Sequence, residues 1–298
     1  AMFHFFTHAF FKSLLFLGAG SVILAAHHEQ DMFKLGGLRT QLPVTFWTFL
    51  VGASSLAAIP LITNGFYSKD LILWRAWSSP LGGPWLWAGG FIGAVVTALY
   101  AFRMVFLTFF GEPKLKSLSH RPGLLIAIPL TILATLSVIT GFLELPHSMG
   151  HVQWFSAFLN TALPAAQTRL GEGHQENMLQ ILAAIGCLGG LMLAYLLFLK
   201  GRGVVEALTE NPLGAAIHRF LLGGFGFDWL YQKAFVQPYW WIATANRNDY
   251  IDWLYRGIAI TVKALHLGLS LTQTGKVRQY AAGIAIGAVA AIGIVILW

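Results

Sequence analysis

The sequence predicts an all-α, polytopic membrane helix bundle: about six transmembrane helices, one of them discontinuous, plus a long amphipathic lateral helix. Three observations point there. Hydrophobic residues make up 56% of the 298 residues. Charged residues make up only 10%, 19 basic and 12 acidic, where a soluble domain carries about 25%. The apolar residues gather in runs close to the roughly 20 residues a helix needs to cross a bilayer, not in the period-two alternation of a membrane β-barrel. So few charges cannot keep the surface of a soluble domain of this length wet. The apolar content excludes disorder, and the single cysteine, Cys187, excludes a disulfide scaffold.

The first crossing runs from about Met2 to Ala26. It holds two histidines and a lysine, which no ordinary secretion signal would. Because the chain begins directly in a span, it reads as the later part of a longer protein. The second apolar stretch, Pro43 to about Trp77, is too long for one straight crossing. Pro43 suits a first helical turn, where its missing N–H costs nothing. Pro60 removes a backbone donor in mid-stretch, and Asn64-Gly65 is a natural helix stop. We therefore expect a broken helix, Pro43–Ile59 and Tyr67–Trp77, the alternative being a plain proline kink with Lys69-Asp70 at the interface. Exposed backbone at such a break is tolerated only inside protein or beside water, and transporters hold ions there.

The third crossing spans Pro84 to Phe110, the fourth Gly123 to Leu145, the fifth Met178 to Leu199 and the last Val277 to Trp298. Gly89 and Gly93, like Gly283 and Gly287, have the four-residue spacing that lets helices approach closely. Between the fifth and last crossings, about 75 residues rich in Trp, Tyr and Phe mix with charges. That composition suits an amphipathic helix at the membrane surface, which Pro212 and Pro238 should interrupt. A compact interfacial domain is the alternative. The domains are thus 1–200 (five helices), 201–275 (the lateral region) and 276–298 (an anchoring helix).

Basic residues set orientation. The connections on the face reached after the first span hold fourteen, among them Lys34, Arg39, Lys114, Lys116 and Arg121, and the opposite face holds only Arg75 and Arg169. The richer face is therefore cytoplasmic, or matrix-facing in a mitochondrion. This bias accounts for the +7 net charge, which gives no reason to invoke nucleic acid.

A few polar residues lie where lipid should be. His4, His8 and Lys12 are spaced i, i+4, i+8, one stripe of the first helix with a rise of about 6 Å per step. Lys12 lies near mid-span, where a charge costs at least about 2.5–3.5 kcal/mol. It should face the bundle interior or water. Histidine and buried lysine both exchange protons, so the stripe reads as a proton relay bridged by water. Two alternatives stand beside it: a metal or haem on His4 and His8, and plain interhelical hydrogen bonding. Lys69 and Asp70 follow the break. Arg103, near the end of its span, is as well explained by snorkelling as by function. Glu144 reads as interfacial, and His27-His28-Glu29 as a solvated loop rather than a metal cluster.

Thr7-His8-Ala9-Phe10-Phe11-Lys12-Ser13, Met32-Phe33-Lys34-Leu35-Gly36-Gly37-Leu38 and Gly65-Phe66-Tyr67-Ser68-Lys69-Asp70 resemble the antiporter-like subunits of respiratory complex I, relatives of the Mrp antiporters. Gly226-Phe227-Asp228-Trp229-Leu230-Tyr231 resembles, more selectively, the subunit L family of NADH–quinone oxidoreductase, whose mitochondrial counterpart is subunit 5. The resemblance covers the whole chain but only about the last half of the family's length. It implies a lateral helix along the membrane arm. Lys12, with His4 and His8, matches the central relay. Lys69, beside Asp70, matches the terminal proton-exchanging lysine. Asp228 and Asp249 match acidic positions of the lateral region, as contacts rather than carriers. Leu71 stands where the family often has glutamate. The implied setting is a bacterial inner membrane, multi-pass, with other complex I membrane-arm subunits and the lipid bilayer as partners. Those partners carry the FMN, iron–sulfur clusters and quinone, with no cofactor in this chain. The rival readings are an Mrp-type cation/proton antiporter subunit and a purely structural clamp of the arm.

Overall fold

The computed structural model describes residues 1–115, 117–119, 121–146, 149–150, 152–163, 173–248 and 250–298. They form two compact units, Ala1–Asn211 and Pro212–Trp298. Among the described residues the regular structure is helical, and the one extended pairing is an isolated bridge, Glu144 to Gln153.

The first unit contains α1 (Met2–Ala25), α2 (Pro43–Leu56), α3 (Asn64–Ser78), α4 (Pro84–Phe109), α5 (Leu124–Ile139), the short α6 (Trp154–Leu159), α7 (Gly173–Tyr195) and α8 (Arg202–Glu210). A 3₁₀ turn, Thr140–Leu143, extends α5, and a π turn, Leu196–Lys200, extends α7. Among the described residues five helical segments are long and apolar enough to cross a membrane: Met2–Ala25, Pro84–Phe109, Leu124–Leu143, Gln175–Lys200 and Val277–Leu297. These match the expected spans within a few residues. The sixth expected crossing is divided between α2 and α3, each too short alone.

The break differs from expectation in its detail. α2 stops at Leu56, and Ala58 takes a left-handed φ of 57°. Its N–H donates to Ser55 O at 3.1 Å, and that of Ile59 to Ser54 O at 3.0 Å. This is the paired closure with which helices commonly end, though glycine usually fills Ala58's place. Asn64-Gly65, expected to stop the first half, instead opens the second. Gly65 is required by contact: a Cβ there would lie 1.7 Å from Ser55 O. The start of α3 thus touches the end of α2 backbone to backbone.

Aromatic and small residues fill the core of this unit. Phe46, Phe49, Phe102, Phe106 and Phe109 are buried with Ala53, Ala98 and Ala101. The glycine pairs chosen from spacing do not do the packing: a Cβ at Gly89, Gly93, Gly283 or Gly287 would meet nothing within 4 Å. Gly186 and Gly190 of α7 do it instead. A Cβ at Gly186 would reach Phe91 Cε2 at 2.4 Å, and one at Gly190 would reach Val95 O at 2.6 Å. Equal spacing occurs on several helices, and only the neighbour decides which pair is used.

The second unit contains α9 (Pro212–Leu222), α10 (Phe227–Tyr231), α11 (Gln237–Ala245), α12 (Tyr250–Ser270) and α13 (Val277–Leu297). It is not one continuous lateral helix. Gly224, Phe225 and Gly226 take φ values of 61°, 58° and 78°, a left-handed run that separates α9 from α10. Pro212 opens α9, as an interrupting proline should. Pro238 does not interrupt. The turn before it, Gln232–Val236, widens into π form and runs on into α11, and such widening absorbs a missing N–H. No described residue of this unit is buried. On α12, Asp252, Arg256, Lys263 and His266 fall within one narrow stripe at helical spacing, with Leu254, Ile258 and Leu265 opposite.

Candidate proton-transfer site

α1 carries the histidine–lysine stripe. Thr7, between the two histidines, is fully buried and turns its hydroxyl to Ser68 of α3 at 3.0 Å. The His4 ring, through Nδ1, pairs with the same Ser68 Oγ at 2.9 Å. His4 and His8 lie with ring centroids 5.8 Å apart, and Phe11 meets His8 edge-on at 5.2 Å. The first helix and the second half of the broken helix are therefore joined by side chains one residue from Lys69.

At the break several freed carbonyls have side-chain partners. Ile59 O accepts from Thr63 Oγ1 at 2.9 Å, and Leu61 O accepts from the Tyr67 hydroxyl at 2.9 Å. Leu56 O, at the end of α2, accepts from Lys69 Nζ. The C-terminal carbonyls of a helix carry partial negative charge, so a cation is favoured there. Deep Asn64 donates to Thr140 Oγ1 at 2.9 Å and to Thr7 O at 3.4 Å. Its own Oδ1 is buried without a hydrogen-bond partner among the described residues.

Of the two settings expected for Lys12, bundle interior or water, it takes the open one: it is exposed, at the rim of a cleft of about 340 Å³. His8, Phe11, Tyr100, Met104 and Leu56 also line that cleft. Leu56 is the link. It lines the cleft that holds His8 and Lys12, and its carbonyl accepts from Lys69.

Lys69 and Asp70 have partners on different helices. Adjacent positions on a helix point about 100° apart. Lys69 turns to α2, and Asp70, only 8% exposed, accepts from Gln180 Nε2 of α7 at 2.9 Å. Gln180 gives no signal in the sequence, where it is a single amide within the apolar run from Met178.

The other candidates lie elsewhere. Arg103 sits between two rings, 5.5 Å from the Phe33 centroid and 5.4 Å from that of Phe198, so it ties α4 to the turn after α7 by cation–π contact. Glu144, expected at the interface, is buried. It accepts from the Ser156 N–H at 3.0 Å and the Ser156 hydroxyl at 2.5 Å, serving the first turn of α6. Asp228 is exposed in the first turn of α10, where a carboxylate suits the helix dipole. Asp249 lies outside the described residues. At the loop after α1, the Glu29 carboxyl is held below its ordinary value by the Asp31 N–H and by Lys34. Lys34 is raised by the same pairing, at 3.1 Å. No group of three His, Cys, Asp or Glu among the described residues is arranged to hold a metal.

Residues 1–97 match the family model described as NADH:quinone oxidoreductase/Mrp antiporter, transmembrane. Over 297 residues, all of this chain, the sequence is 40% identical to NADH-quinone oxidoreductase subunit L of Pseudomonas aeruginosa and 37% identical to that of Escherichia coli. The aligned part is 46% of each relative. NADH-ubiquinone oxidoreductase chain 5 of Cryptococcus neoformans is 38% identical over 246 residues, 80% of this chain and 37% of that protein. The chain spans about half the length of the curated relatives it matches. The similarity read from the His–Lys helix and the Gly65–Asp70 motif is thus found along the whole chain.

Proposed function

We propose that this chain is part of a proton-translocating membrane-arm subunit of NADH–quinone oxidoreductase, moving protons through a His/Lys/water relay coupled to quinone reduction elsewhere in the complex. The observation that carries the reading is the position of Leu56, between the cleft of His8 and Lys12 and the ammonium of Lys69. A proton held at Lys12 passes along His8 and His4 by way of water, since steps of about 6 Å are too long for direct transfer. Ser68 and Thr7 orient His4, and Asn64 Oδ1 offers an acceptor to a relay water. Lys69 receives the charge at the end of α2 and returns it when the field from neighbouring subunits changes. The six-crossing arrangement, with α2 and α3 as one discontinuous crossing and the basic face in the cytoplasm, belongs to the same proposal. So do the lateral course of α9–α12 beside other membrane-arm subunits and the placement of FMN, iron–sulfur clusters and quinone in partners.

An Mrp-type cation/proton antiporter subunit is the second reading, favoured by the family description, which names both. The match to subunit L over 100% of this chain, residues 212–298 included, favours the first. The test replaces Lys12 and Lys69 singly by alanine in the assembled complex and measures proton pumping against NADH oxidation in vesicles. The proposal expects pumping per electron to fall in both variants. Full pumping in both would contradict it. Cation exchange without any NADH-linked pumping would favour the antiporter.

A further inference from the structure

The end of α1, the start of α5 and part of the connection before α5 border a cavity of about 640 Å³. Both helices belong to segments long and apolar enough to cross a membrane, Met2–Ala25 and Leu124–Leu143. The cavity lies where one segment ends and the other begins, which is the level of lipid headgroups. Its lining has two characters. His27, His28 and Arg121 are cationic or hydrogen-bonding, whereas Leu24, Pro122 and Ile126 are apolar. Among the described residues no acidic one lines it. His27 and His28 take consecutive left-handed φ values of 54° and 65°, a conformation that non-glycine residues adopt at a cost. His27 Nε2 donates to Ser117 O at 3.2 Å, which ties this turn to the connection. His28 and Arg121 are exposed, and neither side chain has a partner among the described residues. The last carbonyls of α1 would repel an anion, but they are covered. Ser119 Oγ donates to Leu24 O at 2.5 Å, and the Ser119 N–H donates to Ala25 O at 2.8 Å. The start of α5 is the positive end of its dipole and has no acidic residue in its first turn. Away from the cavity the surface is apolar. Leu17 of α1 and Ile126 and Leu133 of α5 are partly buried against one apolar cluster. Beside them Leu125, Ile128 and Ile132, at three- and four-residue steps, form an exposed strip along α5.

We propose that this cavity binds an anionic phospholipid, with its phosphate held by Arg121 and His28 and an acyl chain laid along the exposed strip of α5. The guanidinium fork suits two phosphate oxygens at once. An imidazole N–H donates to phosphate whether or not the ring is charged. The headgroup must be anionic because its partners are cationic: the ammonium of a zwitterionic lipid finds no carboxylate in the lining. A bare phosphate would satisfy the polar residues alone and leave the adjoining apolar strip unused. Basic pockets between membrane helices attract acidic headgroups in this way. The connection before α5 adds to the attraction, carrying Lys114 and Lys116 besides Arg121 against one acid, Glu112. A bound lipid ties the end of α1 to the start of α5 from outside. The proposal does not depend on the proton relay.

The test uses the whole complex purified in detergent, with assembly checked on native gels. The probes are a phosphatidylglycerol and a phosphatidylcholine, each with the same photoactivatable group in an acyl chain, and inorganic phosphate as a competitor. After illumination the labelled peptides are mapped. Phosphatidylglycerol should label residues 24–28 or 124–132 several-fold more than phosphatidylcholine does. R121Q should weaken its apparent affinity about fivefold, as loss of one cation beside an anionic lipid predicts, and R121K should keep most of it. H28L should weaken it at least about twofold, through loss of a hydrogen bond to the phosphate. K200Q, which removes a basic residue outside the cavity, should leave it unchanged. Equal labelling by the two lipids, or labelling indifferent to both R121Q and H28L, overturns the proposal. No labelling of these segments also overturns it and means that protein covers the cavity. Complete displacement of the lipid by millimolar inorganic phosphate identifies a free-anion site and overturns the lipid assignment. Should R121Q not assemble, H28L decides: an unchanged affinity overturns the proposal.

Discussion

The two units solve the same problem in opposite ways. Both are apolar and aromatic. In Ala1–Asn211 the large side chains find each other: Phe11 and Phe109 are 0% exposed, and Leu14, Leu38 and Leu130 likewise. In Pro212–Trp298 they do not, and Trp240 and Trp241 stay 67% and 73% exposed. Exposed aromatic surface on this scale marks a place for lipid or another subunit. The first unit is thus organised by its own contacts and can hold a polar path in register. The second is organised by backbone hydrogen bonds and is suited to being covered from outside.

Breaking the first unit should cost most. Gly65→Leu drives a Cβ into the backbone of Ser55, which no rotamer change relieves. It should destabilise the α2–α3 junction by more than about 3 kcal/mol and abolish assembly, read as loss of the complex on native gels. Gly190→Val meets Val95 O and the Ala98 methyl. It should cost about 1–3 kcal/mol, seen as a lower midpoint of thermal unfolding in detergent, whereas Gly89→Val, in open space, should leave that midpoint unchanged. In the second unit, replacing Trp240 and Trp241 by serine should shift the unfolding of the detergent-solubilised chain by no more than about 0.5 kcal/mol. The same change should weaken retention in the membrane complex, at up to about 1.5–3 kcal/mol per ring buried there. A large shift in detergent would mean that the second unit stabilises itself.

The smallest effect belongs to the Glu29–Lys34 pair. Glu29's folded value lies below its ordinary one, so its contribution is present above the unfolded value and lost as pH falls through the folded value. Lys34, raised in the fold, contributes below its unfolded value and loses this as pH rises through the folded one. Both are surface groups, so Glu29→Gln should leave the unfolding midpoint unchanged at neutral pH and high salt.

Much of the first unit was legible because periodicity and cost are local properties. His4, His8 and Lys12 announce a polar face by spacing, and Pro60 announces a break. What the break does with its carbonyls was not legible, since Lys69 reaches Leu56 across 13 residues of chain and only the fold brings them together. For Lys12 the spacing left two settings, bundle interior or water, and a sequence does not show which side of a helix its neighbours leave open. Gln180 escapes because one amide in an apolar span gives no signal until Asp70 of another helix is seen beside it. Pro238 misled for a different reason: a proline forbids one hydrogen bond, not a helix, when a π turn supplies the slack.

The proposed relay requires water to join Lys12 and His8, through the cleft beside Leu56, to Lys69. A structure of the assembled complex fine enough to show ordered water tests this most directly. A working relay should show water molecules within hydrogen-bond reach of one another from Lys12 past His8 and His4 to Lys69. A dry gap packed with apolar side chains between the cleft and Lys69, in every state of the enzyme, would contradict it.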